Sequence, residues 1–223
     1  GLGDVYKRQL EDISKNKSPN VVTMVNTIKP YGRWEKICGK GRILPAFPGA
    51  GGCIEGGILD AQLLPRAIQP TTFGEIGGRK TSREEALAYI FRKSHIPYQI
   101  VPEMHHWQIS HLGVIIPLAD AYYQSRHPEK ICANEKLMTL TAYRMKKNLK
   151  WIAQKGMLCP AKLYMIKDMP TGMLAGVLSR VYQSEFGNRF LYRHAMHAPE
   201  EFQRLHQEFY NYMKTHTKES NKA

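Results

Sequence analysis

The stretch Ala46–Gly57, "AFPGAGGCIEGG", holds five of the chain's 18 glycines. Its reading decides what kind of α/β protein this is. A dinucleotide cradle is G-x-G-x-x-G set between a strand and a helix, so that free N–H groups and the positive end of the helix dipole meet a diphosphate. Gly49 and Gly51 fit the first two positions, but Ile54 stands where the third glycine belongs. The adjoining "ILDAQLLPRAIQP" is β-like and carries two prolines, so no helix N-terminus is on offer. The lysine and the Ser/Thr of a P-loop are absent as well. The stretch therefore reads as a wide turn between strands, with glycines where backbone crowding excludes a Cβ.

Outward from it, the chain divides in character. "VVTMVNTI" (Val21–Ile28) is nearly continuously apolar, as a buried parallel strand is. "GRWEKIC" predicts a short helix stopped by Gly39 and Gly41, and "RILPAF" a second strand. "GILDAQLL" and "RAIQPTTFGEIGG" read as an antiparallel pair turning at Pro65. "TSREEALAYIFRKSHI" opens on a capping Thr81 or Ser82 with Glu84 and Glu85 in the first turn, a helix signature. "YQIVPE" is a short strand. From Met104 onward every element is helical: 104–125, 133–155, 160–183 with breaks at Pro170 and Gly172, and 199–215. The expectation is an α/β fold, a partial Rossmann-type sheet over 10–103 followed by an all-helical domain over 104–215. Residues 1–9 and 216–223 are expected to be disordered or non-native.

Composition narrows the partners. The 223 residues carry a net charge of +13, which favours an anionic partner. The excess is diluted through helical sequence: residues 126–223 hold 17 basic and 8 acidic side chains. The densest patch, "YRMKKNLK" (Tyr143–Lys150), reads as a wet helix face rather than a nucleic-acid stripe. Four cysteines without pairing rhythm predict reduced thiols, and no apolar run reaches the ~18 residues a membrane helix needs. A cytoplasmic protein with a small-molecule partner is expected, without nucleic acid or membrane, and a homodimer is compatible with the sequence.

"MVNTIKPYGRWEKICGKGRILPAFPGAGG", followed by "TTFGEIGG", resembles the second half of the N-terminal domain of the ketopantoate reductase family, which reduces 2-dehydropantoate or related 2-oxo acids with NADPH. "EMHHWQISHLGVIIPLADAYY" is similar to the helix that opens that family's helical domain, and "HAMHAPEEFQRL" resembles the start of its C-terminal helix in a divergent branch. The likeness runs from Val21 to Tyr212 through the order of several motifs. It implies NADP as cofactor, a 2-oxo acid as substrate, and a fragment that begins inside its own Rossmann domain. It also implies a catalytic lysine just after the tryptophan of the first C-terminal helix. Here Trp107 is followed by Gln108, Ile109, Ser110 and His111, and no lysine occurs between Lys93 and Lys130.

Several residues then qualify for the site. His111, four residues past Trp107 and on the same helix face, is the candidate acid, as an imidazolium near neutral pH; the alternative is a half-buried helix residue. Ser110 is a candidate substrate-binding and orienting group, and Gln108 a candidate orienting group. Asn26 resembles the family's strand-end asparagine, which contacts cofactor and substrate; the alternative is an Asx turn introducing Pro30. Glu201 corresponds to the family's acidic substrate ligand, though within a different local motif, or is a first-turn glutamate stabilising the helix at Pro199. His194 and His197 lack a third ligand and read as surface histidines, so no metal is expected. Of the adjacent His105 and His106, one lies toward the site. Cys53 lacks a histidine partner in any nucleophile pattern, and Trp34 and Trp151 read as packing. A non-catalytic basic binding or scaffold protein on the same fold is the competing function.

Overall fold

The computed structural model describes residues 2–220, with side chains described for 8–217 except Cys53 and Glu55. Its secondary structure runs α1 (Leu2–Lys15), β1 (Val21–Met24), α2 (Gly32–Cys38), β2 (Ile43–Phe47), β3 (Ala50–Glu55), β4 (Ile58–Leu63), β5 (Thr71–Phe73), α3 (Ser82–Lys93), β6 (Tyr98–Ile100) and α4 (Met104–Gln124). After these come a 3₁₀ turn (Pro128–Ala133), α5 (Glu135–Gln154), α6 (Lys162–Asp168), α7 (Thr171–Gln183), a π-helical segment (Gly187–Tyr192), α8 (Arg193–His197) and α9 (Pro199–Ser220). The fold is mixed α/β, a small and mostly parallel sheet followed by a largely helical region. It separates into two compact units. The sheet unit comprises the chain up to Ala50 with Leu63–His105; the helical unit comprises Gly51–Gln62 and everything from His106. A single cut near residue 103 therefore omits the 51–62 segment, which groups with the helices.

In the sheet unit the strand order is β1-β2-β5-β6. β1 pairs parallel with β2, β2 antiparallel with β5, and β5 parallel with β6. Ile43, Leu44 and Ala46 of β2 are buried, as an interior strand requires. β1 is shorter than the apolar run suggests and lies at the sheet's edge, where its residues alternate between half-buried and exposed. α3 covers the sheet, with Ala88 and Phe91 packed on Ala46 and Phe73. Thr81 caps it, its hydroxyl oxygen accepting from the Glu84 N–H.

A buried carboxylate paired with a partly exposed arginine locks this unit. Glu75 is 5% exposed and receives Arg83 through Nε at 2.6 Å and Nη2 at 2.5 Å. The same guanidinium donates to the Gly41 and Ile43 carbonyls. Charge-assisted hydrogen bonds from Arg83 hold the Glu75 carboxyl below the ordinary range, against the opposing effect of burial.

The pairing expected between 58–65 and the segment after it does not occur. β4 folds back on β3 instead, and β5 enters the main sheet. Gly56 and Gly57 have φ of +57° and +80°; two successive positive φ values make a tight hairpin turn matched to strand twist, so β3 and β4 run antiparallel.

In the helical unit, α4 and α5 supply much of the core through Leu112, Ile116, Met145, Leu149 and Ile152, joined by Leu205 and Phe209 of α9. α7 runs antiparallel to α5: Lys146 reaches Thr171 at one end and Ser179 donates to the Cys132 carbonyl at the other. Gly172 does not break this helix; the break falls at Met169–Pro170. Gly172 and Gly176 face open space, with no atom within 4 Å of where a Cβ would sit. The termini depart from expectation. α1 begins at Leu2, and α9 continues through Ser220, where Trp151 Nε1 donates to Thr217 Oγ1 at 2.8 Å.

Candidate functional site

Each unit places its own share of the residues that the sequence marks. In the sheet unit Asn26 lies just past β1, half-buried. The turn toward Pro30 is built on its neighbour. Thr27 is 3% exposed, and its hydroxyl oxygen accepts from the Lys29 N–H at 3.1 Å and from Arg33 Nη2 at 3.2 Å. Arg33 also lies over the Trp34 ring, 5.2 Å from its centroid. His105 closes the same corner, with Nε2 2.8 Å from the Ile28 carbonyl and the ring edge-on to Tyr31. Trp34 is core, as expected.

The glycine stretch does not fit a diphosphate. A Cβ on Gly49 would sit 2.2 Å from the Thr71 nitrogen, one on Gly51 2.4 Å from the Phe190 ring, and one on Gly52 2.2 Å from the Asp60 carbonyl oxygen. These glycines admit the protein's own backbone and an aromatic ring. No helix comes directly after them. The stretch is the arm of a hairpin, and it supplies no phosphate cradle. Cys53 lies outside the residues whose side chains are described.

In the helical unit, α4 stacks His111 flat against Trp107, ring centroids 5.0 Å apart and 9° from coplanar. That is the i, i+4 geometry the spacing predicts. Some of the residue's surface still meets solvent, yet the atoms around the ring are dense. Burial pushes the imidazole down from 6.5 to about 3, with a smaller push from His194. The imidazolium expected near neutral pH is therefore replaced by a neutral ring, because a cation in this setting loses more hydration than the surroundings return. Ser110 is fully buried; its hydroxyl donates to the Met157 carbonyl at 3.1 Å and accepts from the Cys159 N–H at 3.0 Å. It pins the 157–159 segment to α4. Gln108 is buried beside it.

Three marked residues, spread over more than eighty positions of sequence, act on one another electrostatically. His194 of α8 lies close enough to His111 to depress it, and Glu201, in the first turn of α9, lies close enough to His194 to pull that ring's pKa up. Burial wins at His194 and lowers it overall, although water over its exposed part blunts the effect. His197 is tied to the Arg193 carbonyl at 2.7 Å. Among the described residues no three His, Cys, Asp or Glu side chains form a metal cluster. Sequence reading missed His194 as a member of this group and also missed a half-exposed pair: His206 of α9 meets both oxygens of Asp120 on α4, at 3.0 and 2.8 Å. No spacing rule joins residues that far apart on separate helices.

The class that the fold defines is a small α/β unit joined to a helical one. Comparison with known proteins adds little to it. No family model matches the chain, and no curated protein does. Among solved structures, 2-dehydropantoate 2-reductase from Porphyromonas gingivalis W83 is similar at a TM-score of 0.43 and 13% identity, over 86% of this chain and 64% of that one. A likeness this distant assigns no activity. No helix among the described residues is long and apolar enough to cross a membrane.

Proposed function

We propose that this chain belongs to a 2-oxo acid reductase of the ketopantoate reductase type, in which the helical unit holds the oxo acid. The supporting observation is His111 stacked on Trp107, at the start of the helix the resemblance singles out, and electrostatically linked through His194 to Glu201. A neutral His111 cannot give up a full proton readily, but a ring N–H directed at the substrate carbonyl polarises it. His194, in touch with solvent, exchanges the proton that the new alkoxide requires. Glu201 orients His194, and Ser110 positions α4 without touching substrate. Asn26, at the strand end, is the cofactor-side residue in the sheet unit. The hydride donor in this class is NADPH, whose diphosphate finds no cradle among the described residues, so the chain by itself binds NADPH weakly.

Isothermal titration of the chain with NADPH tests this. Binding weaker than the micromolar range fits; micromolar binding contradicts the cradle assignment. A carboxylate-bearing 2-oxo acid such as 2-oxobutyrate should shift the His194 ring resonances in NMR, and His111→Phe should weaken that binding by about tenfold, the ~1.4 kcal/mol expected of one hydrogen bond. The competing reading, a non-catalytic scaffold, is favoured by the missing lysine together with the neutral His111, and it predicts no response of the His194 ring to any oxo acid.

A further inference from the structure

The β3–β4 hairpin bears a carboxylate that sits in a basic site not of its own making. Asp60 on β4 takes Arg189 at one oxygen and has Arg193 3.8 Å from the other. The two arginines are four residues apart at the junction of the π-helical segment and α8, so they share a face. π-Helical turns are rare and cluster at functional sites. Gly187 opens this one, where a Cβ would lie 2.0 Å from the Val181 carbonyl oxygen. The site sets two guanidinium groups around one carboxylate. It also has a donor to spare: Arg189 Nε is buried and has no hydrogen-bond partner among the described residues. Buried unmatched N–H groups are rare in native folds and ask for an acceptor. The guanidinium fork fits a carboxylate through two parallel N–H donors, one of them Nε. Asp60 engages Nη2 and leaves Nε unmatched.

We infer that Arg189 and Arg193 form a binding site for a small carboxylate, and that Asp60 occupies it as an internal stand-in that such a ligand displaces. The hairpin is seated lightly enough to allow this. Asp60 is 44% exposed and the arginines 28% and 38%, a surface ion pair that water can replace at little cost. The hairpin also meets the Phe190 ring through the bare backbone of Gly51, a contact that can slide without breaking a hydrogen bond. Ligand arrival and hairpin release are then one event, and each promotes the other. Carboxylate binding at Arg189 and Arg193 uses residues separate from those proposed for oxo acid reduction and is independent of it.

The test uses the full chain, malonate as a carboxylate probe, inorganic phosphate as a second anion, and the side-chain Nε–Hε resonances of Arg189 and Arg193. In Asp60→Asn, malonate should shift the Arg189 resonance saturably at one-tenth or less of the concentration that the unaltered chain needs. Adding Arg189→Gln should abolish the accompanying Arg193 shift. Asp60→Glu, which keeps a carboxylate, should behave as the unaltered chain. No saturable shift in Asp60→Asn, or equal response with and without Asp60, overturns the inference. Tighter binding of phosphate than of malonate overturns the ligand class. If Asp60→Asn fails to fold, Asp60→Ser is measured against the same outcomes.

Discussion

Glu75 in the sheet unit and His111 in the helical unit answer burial in opposite ways, although burial also raises the sheet unit's Glu84 carboxyl. In the sheet unit Glu75 is buried as a charge against the partly exposed Arg83, whose guanidinium also donates to the backbone of β2 and of the turn before it. In the helical unit desolvation pushes partly buried groups toward their uncharged forms, His111 down and Asp120 up. One unit uses charge as a joint. The other holds groups poised away from their ordinary protonation, which lowers stability and is the common condition of residues that bind or react.

The comparison breaks first at Arg83. Arg83→Met leaves Glu75 buried without its partner and should cost about 3–5 kcal/mol in urea unfolding. In the unaltered chain the Glu75 carboxyl is held below its ordinary 4.5, so its contribution is present above that value and is lost as pH falls through the lower folded value; the variant should lack this acid-side loss. His111 sharpens the contrast. Its folded pKa lies below 6.5, so the unfolded chain binds the extra proton, and stability should decline as pH falls from 6.5 toward 3. His111→Gln should flatten that decline in melting temperatures measured across the range. The smallest effect concerns α7. Gly172→Ala and Gly176→Ala meet nothing, and each should stabilise by about 0.5–1 kcal/mol in thermal unfolding.

Much of the helical framework is legible in the sequence because its signals are local. Thr81 with Glu84 and Glu85 announces α3, and the i, i+4 spacing of Trp107 and His111 foretells their stacking. The strands are less legible. Val21–Ile28 reads as interior because apolar runs do not reveal which strand lies at an edge. The glycine stretch reads as a turn, while its register as a hairpin depends on Gly56 and Gly57 both taking positive φ. The site is legible only in part. His111 and Glu201 come from resemblance, but His194 joins them through tertiary packing that no spacing encodes. The Arg83 hub is equally silent, since its acceptors are scattered over Gly41, Ile43 and Glu75.

The position of β1 has a colloidal consequence. Among the described residues it has a partner strand on one side only, and Val22 and Met24 are 37% and 42% exposed. Such a border is a template on which a second chain can add its own backbone. The +13 charge keeps chains apart in dilute buffer, and that repulsion shortens to about 10 Å at 0.1 M ionic strength. Added salt, which aids the solubility of many proteins, should here bring molecules together.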